Sequence, residues 1–203
     1  MHGAWLPLAI GFLLVMIMTA WRIGRLKLAQ RRRHEGVSIK TALSALRSPR
    51  IEHVRGTAVY MMEDSTLAPR SFLHNLKHNK VLHEHNLFVT VRHHEVPWIG
   101  FDKHIEMKPL GHDCWQIALH FGFKNDPDVP EALKLLEGRG VPLDDMETSY
   151  FLSRDIVIPT IGAGMAIWRE KLFASMHRNA SAAADFLNLP ANRIVELGSK
   201  VEI

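Results

Sequence analysis

Cysteine is nearly absent from this chain of 203 residues. Cys114 stands alone, so no intrachain disulfide can form, in keeping with a reducing compartment. The patterns that carry familiar chemistry are absent as well. There is no H-E-x-x-H, no cysteine pair, no G-x-S-x-G elbow and no G-x-G-x-x-G loop. A catalytic reading therefore has no motif to stand on, and the chain is read as a non-enzyme that needs no cofactor. No nucleic-acid module signature occurs, and the net charge of +4 is modest, so nucleic acid is not expected as a partner. Internal repeats and low-complexity tracts are also missing. The most informative absence is that of charge: the eighteen residues from Ala4 to Trp21 carry none.

That run sets the first expectation. At a rise of about 1.5 Å per residue it spans roughly 27 Å, close to the hydrocarbon core of a bilayer. Trp5 and Trp21 stand at its two ends, where amphipathic rings prefer the lipid–water boundary, and Pro7 sits in the first turn, where it costs little. A secretory signal places positive charge first and ends at a small-residue cleavage site. Here only Met1, His2 and Gly3 precede the run, and its exit reads Met18, Thr19, Ala20, Trp21. A run this long with no polar face reads as a spanning helix rather than a buried helix of a soluble domain. The positive charges follow it: Arg22, Arg25, Lys27 and Arg31 to Arg33. Basic residues flanking a span stay on the cytoplasmic side, which puts the short N-terminus outside and the rest of the chain in the cytoplasm. Such geometry is that of the last helix of a larger multi-span protein. The basic flank suits anionic headgroups, although topology alone accounts for it.

Beyond the run the chain divides into a basic juxtamembrane linker with a short helix, residues 25–53, and a domain over residues 54–203, long enough to bury a core. Ser38 caps the short helix, which turns Ile39, Leu43 and Leu46 to one side and ends at Pro49. The composition then predicts a strand over 54–62, a helix over 70–80 and a strand over 86–96. Two further strands, 103–111 and 114–123, flank a turn at Gly111, His112 and Asp113. In the second of these, Trp115, Ile117, Leu119 and Phe121 alternate with Gln116, Ala118 and His120, which predicts one buried face. A helix follows with Pro130 in its first turn, then a strand over 149–159, one or two long helices over 162–190, and a closing strand over 192–203. Strands alternating with helices indicate an α/β domain with a mixed β-sheet, preceded by one transmembrane α-helix.

Two constellations could bind something. His74 and His78 fall on one helix face at i and i+4, and His83, His85, His93 and His94 follow closely; a zinc site would use such spacing, and so would plain surface histidines. The run Ile161–Gly162–Ala163–Gly164–Met165 could cradle a phosphate at a helix N-terminus, and equally reads as a strand-to-helix turn.

Several stretches, in order, resemble the KUP-type (KUP/HAK/KT) potassium uptake transporters. FLHNLKHNKVLHEHNLFVTV resembles the cytosolic signature of that family, and GAWLPLAIGFLLVMIMTAWRIGR its last membrane helix with a basic exit. VRGTAVYM, VPEALKLL, ETSYFLSRDIVIP, GMAIWREKLFASMHRNASAAADFLNLP and RIVELGSKVEI resemble the remainder of its C-terminal domain. The resemblance implies a proton-coupled potassium importer of the inner membrane with about a dozen spans and discontinuous helices lining a midplane site. It implies a cytosolic tail that is regulatory and dimer-forming and resembles a nucleotide-sensing α/β fold, its ligand open. The helices that hold the ion and couple the proton lie upstream in the family, so no ion-pathway, catalytic, cofactor or metal residue is assigned in this chain. One helix cannot supply a dehydrating ion path, so the portion alone is expected not to transport. The alternative is a membrane-tethered regulatory or nucleotide-sensing domain without its own pore.

Overall fold

A computed structural model of the protein describes residues 5–47, 51–100, 103–141, 143–144, 146–160, 166–180 and 186–202. The apolar run forms helix α1, Trp5–Glu35, which continues without a break through the basic flank. At about 1.5 Å per residue its length is roughly 46 Å, well beyond the roughly 30 Å hydrocarbon core. Its last turn carries Arg32, Arg33 and His34, charges that complement the negative end of the helix dipole. It is the one helix among the described residues long and apolar enough to cross a membrane.

The domain is built on a six-stranded sheet in the order β3-β4-β2-β1-β5-β6. The strands are β1 Glu52–Met62, β2 Val81–His94, β3 Ile105–Gly111, β4 Cys114–Gly122, β5 Thr148–Ile158 and β6 Ile194–Glu202. β2 pairs in parallel with β1 and β4, and β5 pairs in parallel with β1, while β3 runs antiparallel to β4. The sheet is therefore mixed. The expected turn is present: Gly111, His112 and Asp113 all take positive φ, which lets a short connection reverse the chain. With a parallel neighbour on each side, β2 buries Asn86 to Thr90 completely or nearly so, as the apolar start of the strand expected over 86–96 anticipates, although β2 itself begins five residues earlier, at Val81.

Period-two alternation sorts the side chains into two layers. Val59, Leu87, Val89, Ile117, Leu119 and Phe121 gather on one face with Val129, Ala132 and Leu133 of α4, Val129–Lys134. Ala58, Tyr60, Phe88 and Cys114 gather on the other with Ile39 and Leu43 of α2, Ile39–Ser44, and Phe72 of α3, Arg70–His74. Local chemistry starts and stops these helices. The Ser38 side chain accepts a hydrogen bond from the Thr41 amide at the start of α2, and Asp128 does the same for Glu131 in α4, with Pro130 in the first turn. The helix expected over 70–80 is α3 followed by a wider, π-type turn, Asn75–Asn79, closed by Lys80 in the left-handed conformation. Gly56, at φ +95°, sits where the β1–β2 register shifts, and a Cβ there would press on the Glu147 carbonyl.

Of the one or two helices expected over 162–190, the described residues contain α5, Ile167–Asn179, as the first. It stops because Ala180 leaves the helical region at ψ 137°. Residues 161–165, 181–185 and Pro49 lie outside the described residues, and so do the glycine run at 161–165 and the helix stop assigned to Pro49.

The chain falls into two compact units. One comprises residues 37–154 and 181–197 and holds most of the sheet with both of its layers. The other comprises residues 1–36, 155–180 and 198–203, and so contains α1, α5 and the ends of β5 and β6.

Candidate functional site

In the sheet unit, the six histidines singled out by spacing separate into distinct surroundings. His74 and His78 lie exposed with ring centroids 4.4 Å apart, the i, i+4 relation their spacing predicts. His83 meets the edge of Phe151 at 5.8 Å, and burial pushes its pKa down. His85 lies 5.6 Å from Trp115, and His93 lies near Phe121 and Phe186. His94 Nε2 is 2.7 Å from His120 Nδ1, whose Nε2 is 3.6 Å from a Glu106 oxygen. That last contact joins three strands, and only strand pairing could have revealed it. Among the described residues no group of three or more His, Cys, Asp or Glu is placed to hold a metal ion. Cys114 is buried, its thiol pushed up to about 12 by burial and by the neighbouring Asp113 charge, which makes it a poor nucleophile.

The second unit has a different character. Trp21, Gly24 and Leu28 follow one another around a single face of α1 at three- and four-residue spacing. That face meets Phe173 and Ala174 of α5, with Val157 of β5 and Val201 of β6 completing the cluster. Trp21 and Phe173 have ring centroids 5.5 Å apart, and His177 stacks on Phe173 at 5.6 Å. Gly24 is what permits the approach. A Cβ there would lie 2.7 Å from Phe173 Cδ1 and closer still to Cγ and Cδ2.

Charge closes this contact on the side toward the C-terminal end of α1. Arg32 of α1 forms an ion pair with Asp155 of β5, whose side chain is only 4% exposed. His177 faces the same charges. Its pKa is lowered, first by burial and then by Arg25 and Arg32, against an opposing pull from Asp155. Glu170, one turn before Phe173, is 0% exposed, and among the described residues neither carboxylate oxygen has a hydrogen-bond partner. The arrangement offers no nucleophile beside a base. What it does is fasten the end of the apolar helix to α5 and to the C-terminal parts of two strands. None of these contacts is legible from spacing, because the partners lie more than a hundred residues apart in the chain; Gly24, three residues after Trp21, is the one local signal.

Comparison with known proteins places this arrangement in a family. Residues 55–203 match the family described as the K+ potassium transporter C-terminal domain. Over all 203 residues the chain is 65% identical to the Probable potassium transport system protein Kup of Methylibium petroleiphilum, covering 32% of that protein. It is 57% identical over 203 residues to the protein of the same name from Paracidovorax citrulli, covering 33% of it. It is also 57% identical over 201 residues to that from Polaromonas naphthalenivorans, covering 32% of it. The chain thus spans about a third of the length of the curated relatives it matches. No solved structure matches it. A sheet domain with a membrane-length helix ahead of it, matched over its whole length by Kup proteins, belongs to the KUP potassium transporter family through that family's C-terminal domain.

Proposed function

We propose that this chain is the membrane-anchored regulatory end of a proton-coupled potassium importer of the inner membrane. In this reading residues 1–24 are the last span, residues 25–53 the linker, and residues 54–203 a cytosolic domain, with the N-terminus outside. The observation that carries the proposal is the match of the whole chain to about a third of proteins named as potassium transport proteins. A single apolar helix ahead of the sheet supports the membrane anchor. Potassium and protons pass through helices outside this portion, since one helix cannot enclose a desolvating path. The chain itself performs no catalytic step. The test is growth at low potassium of a cell lacking every native importer. Residues 1–203 alone should not restore growth, and a longer protein that carries these residues behind the remaining two thirds of the Kup length should. Robust rescue by residues 1–203 alone would overturn the assignment.

A second reading, nucleotide sensing by the tail, has a specific observation in its favour. The sheet is largely parallel, and its strand order reverses about β1, with β2 and β4 to one side and β5 to the other. Open α/β sheets bind ligands beyond the carboxyl ends of their strands where the order reverses. Isothermal titration of the chain with adenine nucleotides and cyclic dinucleotides tests it, and silence from all of them would remove the reading. Dimer formation through the tail is a further part of the proposal, tested by the mass of the detergent-solubilised chain.

A further inference from the structure

We infer that α5 lies along the cytoplasmic surface of the bilayer, beside the span, and binds anionic lipid headgroups there. The inference rests on the reading of α1 as a membrane span and adds a partner for a helix which that reading leaves without one. The depth argument comes first. Trp21 ends the uncharged run and marks the lipid–water boundary. Phe173 of α5 packs on Trp21 and Gly24, so the middle of α5 sits at that same level. Ile167 and Trp168 lie within six residues of Phe173, about 9 Å along the helix axis at most.

Composition and exposure agree with that depth. Ile167 and Trp168 are 45% and 47% exposed, large apolar side chains turned away from the unit's own core. The Arg169 guanidinium lies 5.1 Å from the centroid of the Trp168 ring, pairing a cation with an amphipathic ring. The single acidic residue of α5, Glu170, is turned fully inward, while Lys171 and Arg178 are exposed. The outward charge of the helix is therefore positive throughout. On α1, Arg22 and Arg25 are exposed at the same level, just past Trp21. Apolar and aromatic groups beside a field of like positive charge, next to a span, match an interfacial helix on an anionic leaflet.

The test uses the full chain reconstituted in vesicles of phosphatidylcholine, with or without phosphatidylglycerol. A nitroxide is attached in turn through Trp168→Cys, Ile167→Cys, Leu14→Cys and Glu131→Cys, and its accessibility to oxygen is compared with that to a water-soluble nickel reagent. Buried Cys114 stays in place. The Leu14→Cys label reports the span and the Glu131→Cys label, at an exposed position of α4, reports water. The expected result is oxygen-favoured accessibility of the Trp168→Cys and Ile167→Cys labels in phosphatidylglycerol vesicles. That preference should fall several-fold in phosphatidylcholine alone, and equally when Arg169→Glu and Lys171→Glu are introduced. Two α5 labels are used so that failure of one variant to fold leaves the other to decide. If the Leu14→Cys label is oxygen-rich while both α5 labels match the Glu131→Cys control in either lipid, the inference is overturned and the span stands. If the α5 labels are shielded from both reagents, a protein surface covers α5 and the inference is likewise overturned. A water-accessible Leu14→Cys label overturns the span and the inference together.

Discussion

Gly24→Ala should separate α5 from α1, and the size of the effect follows from the contact. The added methyl would fall 2.7 Å from Phe173 Cδ1 and nearer still to Cγ and Cδ2. The Phe173 ring is fully buried, and its Cγ is the root of the ring, so the side chain cannot swing clear as a flexible tip would. Forcing a methyl into a packed site costs about 1–3 kcal/mol. Alanine is also a better helix former than glycine by roughly 0.8–1 kcal/mol. That gain cancels for the step in question, because α1 is helical whether or not α5 is docked on it. Undocking should therefore become about 2 kcal/mol easier, which is roughly 30-fold in the opening equilibrium, each 1.4 kcal/mol being about tenfold. Native-state amide hydrogen exchange across Ile167–Asn179 reads that equilibrium directly. Gly11→Ala is the control, since nothing lies within 4 Å of a Cβ built at Gly11, and α5 exchange should not respond to it. Phe173→Leu should recover part of the loss in the Gly24→Ala background while costing stability by itself, a coupling that a double-mutant cycle isolates. Equal α5 exchange in the Gly11→Ala and Gly24→Ala proteins would refute the packing argument.

Three further outcomes are expected. Breaking the Arg32–Asp155 pair from either side, by Arg32→Met or Asp155→Asn, should ease exchange at the end of β5 by about 2–3 kcal/mol, below the ~3–5 kcal/mol of a wholly buried pair because Arg32 is 26% exposed, and the double variant should recover much of it. His177 has a folded pKa below its ordinary 6.5, so the unfolded or undocked state binds its proton first; docking of α5 should be fully stable above pH 6.5, weaken as pH falls below it, and lose that acid limb in His177→Gln. Cys114 should resist maleimide in the native chain at neutral pH and react only as fast as the sheet opens, so thiol labelling that ignores added denaturant would contradict its burial and its raised pKa.

The elements legible in the sequence were those whose signal is local. Alternation in Trp115 to Phe121, the apolar start of the strand expected from Asn86, the cap at Ser38, Pro130 in the first turn of α4, and the turn at Gly111 to Asp113 each follow from backbone preferences and period-two burial. The extent of α5 was not legible. The stretch from Ile167 to Asn179 reads as part of one or two helices over 162–190, and the sequence did not mark the break at Ala180, a strong helix former whose backbone turns to ψ 137°. The charged contacts were illegible for another reason. Arg32 reads as one more basic residue of a topology-setting flank, and only the fold distinguishes it from its neighbours Arg31 and Arg33 by bringing it to Asp155.

That distinction changes the meaning of the basic flank. A flank that only sets topology needs positive charge and no particular geometry. Here one arginine is committed to a nearly buried carboxylate, and a glycine two residues past the flank's first arginine is committed to a phenyl ring. The C-terminal half of α1 is thus held by shape and charge to α5 and the last residues of β5 and β6, within one unit. A force on α5, from lipid or from a ligand, would reach the span through these contacts. In the proposed importer, substitutions at Gly24, Phe173, Arg32 and Asp155 should accordingly alter how the proposed tail acts on transport, whereas lysine exchanged for arginine at exposed Arg22 should leave that action intact.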